Sequence, residues 1–261
     1  YEEGGASNGL AVKLDNGSLS AKIKAGANEL EATHAFPLAD DKWHHVAVTF
    51  GDSPKLYKLY VDGSLSGNMQ AFPTTTIPAH TDPPGLGQIN GDAVYPGLGN
   101  FKGMLDEVRV YDRGLSAEEV AQVYAGDMRN AGVLSFRAIE PPSVVTTPAT
   151  DVFPSHATLN ANVLSVGGTI TTESKTVTTN FDKESLPDLG IWFNASAVNG
   201  IADGANMTNG WKDSSGLGRD MANVRNNPRW LAAEPTLNNM PVVDFDQAND
   251  RMWTSYNFRD A

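Results

Sequence analysis

Carboxylates are the side chains of this sequence whose types and spacing come nearest to catalytic chemistry. Glycoside hydrolysis needs two carboxyl groups about 5–10 Å apart, and on a strand they share a face only at i and i+2 or i+4. Asp106 and Glu107 are adjacent, so they point to opposite faces. Asp244 and Asp246 share a face, but their apolar neighbours place that pair towards solvent. We therefore expect no catalytic residues and no enzymatic activity.

Two polar loops near the C-terminus carry the residue types that calcium prefers. Calcium takes hard oxygen ligands from carboxylates, amides and backbone carbonyls. The alternative for each candidate is an Asx turn or a solvated loop residue. His44 and His45 cannot bind one ion together, because adjacent strand residues project to opposite sides. The candidate calcium ligands are Asp213, Asp220, Asp246, Asn249 and Asp250.

A proline- and glycine-rich segment, residues 71–100, is the candidate recognition loop. Loops carry binding residues more often than strands do, and aromatic rings can stack on sugars. Phe72 and Tyr95 are the aromatic residues we expect to be exposed there and to bind a ligand. The alternative is that both rings cover the edge of the core and that the segment is a spacer.

Three asparagines lie in Asn-x-Ser/Thr sequences, which are acceptors for N-linked sugar in cells that glycosylate. They are Asn16, Asn194 and Asn206. The threonine-rich stretch 146–179 could carry O-linked sugar in a secreted protein. Both predictions depend on the source of the protein.

Strand patterns dominate the first half of the chain. Apolar residues alternate with polar or small ones in Val46–Phe50 and in Tyr57–Val61, which is the period of a half-buried strand. Asp62-Gly63 follows directly, and this dipeptide favours a tight hairpin turn. We therefore predict two strands, the second of which ends in a tight hairpin turn at Asp62-Gly63.

A third strand and a helix follow. Asp106 falls on the same face as Val108, so it points inward and must be hydrogen-bonded. We interpret it as a tether for a neighbouring loop, with a ligand role as the alternative. Ser116 and Glu119 form a capping box, and Gly126 ends the predicted helix after two to three turns.

Residues 43–50, 58–63 and 101–116, in this order and spacing, resemble the rear half of a laminin-G-like, concanavalin A-type jelly roll. The resemblance covers roughly residues 8–127. It implies an all-β antiparallel sandwich closed by a short helix, and a domain that binds or builds rather than catalyses. It also makes a calcium site possible.

The rest of the chain shows two further patterns. Residues 130–186 are threonine-rich, and part of this stretch resembles the first strands of a fibronectin type III-like module, or a linker. Residues 187–261 resemble the front half of a second concanavalin A-like jelly roll. We predict three parts: a rear half over 1–129, the threonine-rich segment over 130–186, and a front half over 187–261.

Half a sandwich exposes unpaired strand edges and apolar faces. Three explanations stay open. The chain belongs to a longer multidomain polypeptide, or it is held by other parts of an assembly. In the third, other copies of the chain complete its sheets, front half to rear half, by strand complementation.

Composition limits the function classes. The 261 residues suffice for about two domains. A net charge of −12 argues against nucleic-acid binding, and the absence of cysteine excludes disulfides and thiol catalysis. No segment has the ~18 apolar residues of a membrane helix. The first residue is Tyr1 rather than Met, which indicates a mature or internal segment.

Together these observations predict an extracellular or cell-surface protein built of β-sandwich modules. We expect an adhesive or structural component of a surface, matrix or filament, which binds glycans or extracellular proteins. The alternative is a carbohydrate-binding accessory region of a larger secreted glycoside hydrolase or protease.

Overall fold

The protein divides into two compact units in this computed structural model. The first combines Tyr1–Val133 with Phe181–Ala261, and the second is Leu134–Asn180. The residues that the structure describes are 1–15, 17–34, 38, 41–51, 55–74, 76–80, 82–88, 94–95, 100–130, 144–153, 156–163, 186–246 and 250–256.

Strands are the commonest regular elements of the described chain. Up to the helix, the elements are β1 (Glu2–Gly4), β2 (Asn8–Asp15), β3 (Ser18–Ala25), β4 (Asn28–Thr33), β5 (Val46–Thr49), β6 (Leu56–Val61), β7 (Ser64–Ala71), β8 (Gly85–Leu86), β9 (Gly103–Leu105), β10 (Val108–Tyr111) and α1 (Ala117–Asn130). After it come β11 (Val144–Phe153), β12 (His156–Val163), β13 (Leu189–Phe193), β14 (Asn223–Arg225), β15 (Arg229–Glu234), β16 (Met240–Phe245) and β17 (Arg251–Trp253).

All the strand pairs of the first unit are antiparallel. Its largest sheet has seven strands in the order β14-β17-β8-β1-β2-β3-β4. Smaller sheets have the orders β5-β6-β7, β15-β16-β9 and β10-β13. The prediction of an all-β antiparallel fold with one short helix is confirmed. No helix among the described residues is long and apolar enough to cross a membrane.

The predicted hairpin is present. Strands β6 and β7 are joined by a two-residue turn, with Val61 opposite Ser64. Asp62 and Gly63 both have positive φ, 50° and 72°, as a type I′ turn requires. Strand β5 pairs on the other side of β6, with Val46 opposite Val61.

One hydrophobic core lies between the large sheet and the β5-β6-β7 sheet. Every residue of this core comes from the first 77 positions of the chain, so the N-terminal segment (residues 1–129) supplies it alone. Its buried members are Leu19, Ala21, Ile23, Ala25, Ala32, Tyr57, Leu59, Val61 and Phe72, and Ile77 is among the partly buried residues packed on it.

The N-terminal segment and the C-terminal segment (residues 187–261) share sheets, although the sequence predicted that they belong to separate jelly rolls. Strand β17 pairs with β8, β16 with β9, and β13 with β10. The second core is built from both segments. Its buried members include Leu86 from the first, and Phe193, Trp211, Val243, Phe245 and Met252 from the second, while Leu105 and Val108 from the first are partly buried and pack against it. Each segment therefore covers the unpaired edges and apolar face of the other.

Helix α1 begins as predicted and ends later. The amide of Ser116 donates to Glu119 at 2.8 Å, and the amide of Glu119 donates to Ser116 Oγ at 3.2 Å, so the capping box is confirmed. The prediction that Gly126 ends the helix is wrong, because α1 continues through it to Asn130. The extra turn brings Asp127 to Arg109 of β10, at 3.0 Å.

The second unit contains a β-hairpin. Strands β11 and β12 are antiparallel, with Val144 opposite Val163 and Phe153 opposite His156. The register shifts twice along the pair. The likeness of this stretch to a fibronectin type III module stays a prediction.

Candidate functional site

The two aromatic residues predicted to be exposed are buried. Phe72 is 2% exposed and belongs to the N-terminal core, and Tyr95 is 6% exposed. The expectation of exposed rings is therefore corrected: Phe72 packs in the core, as the alternative had it, and Tyr95 packs in a separate cluster with Ala11 and Val94.

Tyr95 lies on the outer face of the large sheet. Its hydroxyl donates to Glu31 Oε1 at 2.9 Å. The ammonium groups of Lys13 and Lys22 lie 4.3 and 4.7 Å from its ring centroid. Burial, followed by the hydrogen bond to Glu31, raises the pKa of the Tyr95 hydroxyl. The ring is enclosed by protein and offers no face for a sugar.

Asp213 ties a turn to β13. Its Oδ1 accepts from the amides of Trp192 and Ser215, at 3.1 and 2.9 Å. Its Oδ2 accepts from Ser215 Oγ at 2.7 Å and from the Arg219 amide at 3.0 Å. With four hydrogen bonds the carboxylate is saturated, so this Asx turn does not fit a calcium ligand.

Among the described residues, the other calcium candidates do not form a cluster, and calcium binding stays a prediction. Asp220 accepts from the Asp213 amide at 2.9 Å and pairs with Lys212, while Asp246 pairs with Arg229. Asp250 is fully buried, and Asn249 lies outside the described residues. No three His, Asp or Glu side chains in the described ranges are grouped to hold a metal ion.

The three sequons differ in their surroundings. Asn16 lies outside the described residues, and Asn206 is exposed. Asn194 is half-buried, and its Oδ1 accepts from the Ser196 amide at 2.7 Å, which caps a short 3-10 helix, Ala195–Ala197. Of the two described sequon asparagines, Asn206 is the more exposed.

The carboxylate pairs are structural. Asp244 was expected to face solvent, and this is corrected, because it is 5% exposed and bound to Arg229 at 2.8 Å. Burial raises the pKa of Asp244, although the bond to Arg229 acts against that shift. The same guanidinium contacts Asp246. One arginine therefore clamps both carboxylates.

One surface that sequence reasoning missed lies on the outer face of β14 and β17. Arg225 is directly opposite Arg251, and Asn223 is directly opposite Trp253. Between them, Val224 and Met252 point into the core, so these four side chains share the outer face. We call the surface formed by Asn223, Arg225, Arg251 and Trp253 the Trp253 face.

The four side chains of the Trp253 face differ in their exposure to solvent. Asn223 and Arg225 are exposed, Trp253 is half-buried and Arg251 is 8% exposed. The Arg251 guanidinium lies 4.6 Å from the Trp253 ring centroid, and Asn223 Nδ2 donates to the Trp253 carbonyl at 3.3 Å. The indole is therefore held in place by its neighbours.

Charged groups of both signs surround Arg251 on this face. Burial lowers the pKa of the Arg251 guanidinium and Arg225 lowers it further, whereas the carboxylates of Glu2 and Asp82 act in the opposite direction. Two guanidinium groups thus lie close enough to interact, within a chain of net charge −12. Gly85 of β8 is directly opposite Trp253 on the other side of β17.

This combination of groups suits a polar ligand with an apolar ring face. An indole offers stacking area together with a polar edge, and guanidinium groups donate paired hydrogen bonds to carboxylates. The signal was present in the sequence as Arg-Met-Trp at 251–253, a period-two strand. Its pairing with β14 and β8, which assembles the face, is a tertiary feature.

Comparison with known proteins agrees with the fold. Residues 2–121 match a family described as the concanavalin A-like lectin/glucanases superfamily, in its laminin-G type. A solved structure of an S-layer domain-containing protein (residues 221–444) from Clostridium thermocellum is 22% identical, with a TM-score of 0.25. That match covers 47% of this chain and 63% of the other, too weak a likeness to argue from. No curated protein matches the chain.

Proposed function

We propose that this chain, whose residues 2–121 match a laminin-G-like family, is an extracellular surface or matrix component that binds glycans without catalysis. Domains of this type are typically binding modules. The acidic, cysteine-free composition is compatible with a secreted protein. The role is adhesive or structural, and the ligand is a polysaccharide of the surroundings.

The Trp253 face is the observation that carries the glycan assignment. A sugar ring stacks on the half-buried indole, and the exposed Asn223 and Arg225 supply donors to its hydroxyl and carboxyl groups. The exposed charge on the face is a guanidinium, so acidic sugars are preferred over neutral ones. The net charge of −12 opposes polyanions at long range, but salt screens that repulsion beyond about 8 Å.

Binding to an acidic and a neutral oligosaccharide tests the proposal. Oligogalacturonide and a neutral β-glucan oligosaccharide are titrated calorimetrically into the intact chain. Trp253→Ala is expected to weaken oligogalacturonide binding about tenfold or more, equivalent to about 1.4 kcal/mol, whereas Trp253→Phe keeps most of the affinity. If Trp253→Ala binds both oligosaccharides as tightly as the unaltered chain does, the proposed site is contradicted.

A matched pair of variants separates local charge from net charge. Arg225→Gln and Lys102→Gln each remove one exposed cation, but only Arg225 lies on the Trp253 face. We expect Arg225→Gln to weaken the acidic ligand selectively and Lys102→Gln to leave it unchanged. Equal effects of the two variants would show that net charge alone sets the affinity.

A further inference from the structure

The seam between the two segments of the first unit has the properties of an interface. Three antiparallel strand pairs cross it, β8–β17, β9–β16 and β10–β13. On either side, the remaining strands pair within their own segment. Strands β1 to β4 and β5 to β7 do so on one side, and β14–β17 and β15–β16 do so on the other.

The two sides of the seam depend on it unequally. The N-terminal segment holds a complete core of its own around Tyr57 and Leu59. The core of the C-terminal segment, around Trp211 and Phe193, is completed by Leu86, Leu105 and Val108 from the other side. The C-terminal segment therefore needs a partner surface to bury its apolar face.

Polar contacts give the seam a specific register. Asp106 Oδ1 accepts from the Ala195 amide at 2.9 Å, and Trp192 Nε1 donates to Glu107 Oε2 at 2.7 Å. A third contact across the seam is the hydrogen bond that Trp43 Nε1 donates to Thr236 Oγ1 at 3.1 Å. These contacts require only that the two surfaces meet, since none of them involves the covalent connection.

The covalent connection runs through the separate compact unit Leu134–Asn180. We propose that the C-terminal segment, residues 187–261, also docks across the same seam onto the N-terminal segment, residues 1–129, of a second copy of this chain. The exchanged assembly repeats every contact of the seam and requires no new one. Reciprocal exchange closes a dimer, and head-to-tail exchange extends an open chain.

The protein concentration decides whether the C-terminal segment docks within its own chain or onto a second copy. Joining two binding segments in one chain gives an effective concentration on the order of millimolar. Dilute chains therefore close on themselves, and exchange becomes competitive where copies are crowded, as in an ordered surface layer or matrix.

The absence of cysteine from the chain makes a direct test possible. Leu105→Cys with Val243→Cys places two thiols at directly opposite positions across the seam. Tyr111→Cys with Leu189→Cys is a second seam pair at the rim. Lys24→Cys with Glu29→Cys is the control, because both positions lie in the β3–β4 pair of one segment.

Equal amounts of ¹⁵N-labelled and unlabelled full-length chain are unfolded, mixed and refolded under oxidising conditions. One sample is kept well below, and one well above, the roughly millimolar effective concentration. Mass spectrometry then identifies the disulfide-linked peptides. We expect mixed light–heavy pairs at the seam in the concentrated sample only, and no mixed pairs for the control at either concentration.

Three outcomes overturn the exchange. The first is seam disulfides that stay light–light and heavy–heavy at both concentrations. The second is mixed pairs that form equally in the control, which would show non-specific crosslinking. The third is failure of both seam pairs to oxidise in dilute solution, which would show that the seam does not form. Glycan binding is measured separately, so its presence or absence does not decide the result.

Discussion

The carboxylate of Asp106 and the backbone amide of Ala195 join two parts of the chain that lie 89 residues apart in sequence, at 2.9 Å. The same oxygen accepts from the Glu107 amide at 2.8 Å. The inward carboxylate therefore tethers a neighbouring loop, and that loop belongs to the other side of the seam.

Asp106 should make stability fall as pH rises. Burial, the largest cause, raises the pKa of Asp106 from 3.8 to about 7, so the folded state binds this proton more tightly than the unfolded state. Its contribution is full below about pH 4 and is lost as pH rises through about 7, with a slope of at most about 1.4 kcal/mol per pH unit. Urea unfolding across this range measures it.

Two variants isolate that effect. Asp106→Asn keeps an acceptor for Ala195 but cannot ionise, so the slope attributable to this group should disappear. Asp106→Ala removes the acceptor and should destabilise the fold at every pH. A wild-type profile that Asp106→Asn leaves unchanged would contradict the assignment.

Arg109 is the buried cation that links α1 to the β10–β13 sheet. Its side chain is 4% exposed and contacts both Glu107 and Asp127. Arg109→Ala leaves two carboxylates without their counter-charge and should cost roughly 3–5 kcal/mol in the free energy of unfolding. Arg113→Ala removes the more exposed pair with Glu119 and should cost about 1 kcal/mol or less. Similar losses in the two variants would refute the ranking.

Gly63 is required by two separate constraints. Its φ is +72°, and a Cβ there would lie 2.7 Å from Cδ1 of Tyr124 on α1. Gly26 has a similar φ, +60°, with nothing within 4 Å of the added carbon. Gly26→Ala should therefore cost about 1 kcal/mol from the backbone alone, and Gly63→Ala roughly 2 kcal/mol or more. Chemical denaturation compares them, and equal costs would exclude the contact with Tyr124.

Calcium should not change the thermal midpoint. An ion that binds the folded state raises it, but the oxygens of Asp213 already accept four hydrogen bonds. We expect the same midpoint with added calcium and with chelator. A calcium-dependent rise that Asp213→Asn abolishes would restore the calcium site predicted from the sequence.

Features that depend on short-range interactions were predicted correctly from the sequence, and features that depend on long-range interactions were not. Alternation in Tyr57–Val61, the left-handed turn at Asp62-Gly63 and the capping box at Ser116 all depend on a few neighbouring residues. The exposure of Phe72 and Tyr95 depends instead on what covers the rings, and no local pattern carries that information. The end of α1 was misplaced because the contact between Asp127 and Arg109 is worth more than the weak helix propensity of Gly126.

By itself, the sequence determined the β-rich class, the main strands and their inward faces, the hairpin and the start of the helix. The tertiary structure decided which segments share sheets, and so brought Asp106 to Ala195 and Arg225 to Arg251. The alternation of apolar and polar residues along a strand indicates which side is apolar but not which other strand it pairs with. That choice depends on the surface buried and on the closure of a long loop, which only the assembled chain specifies.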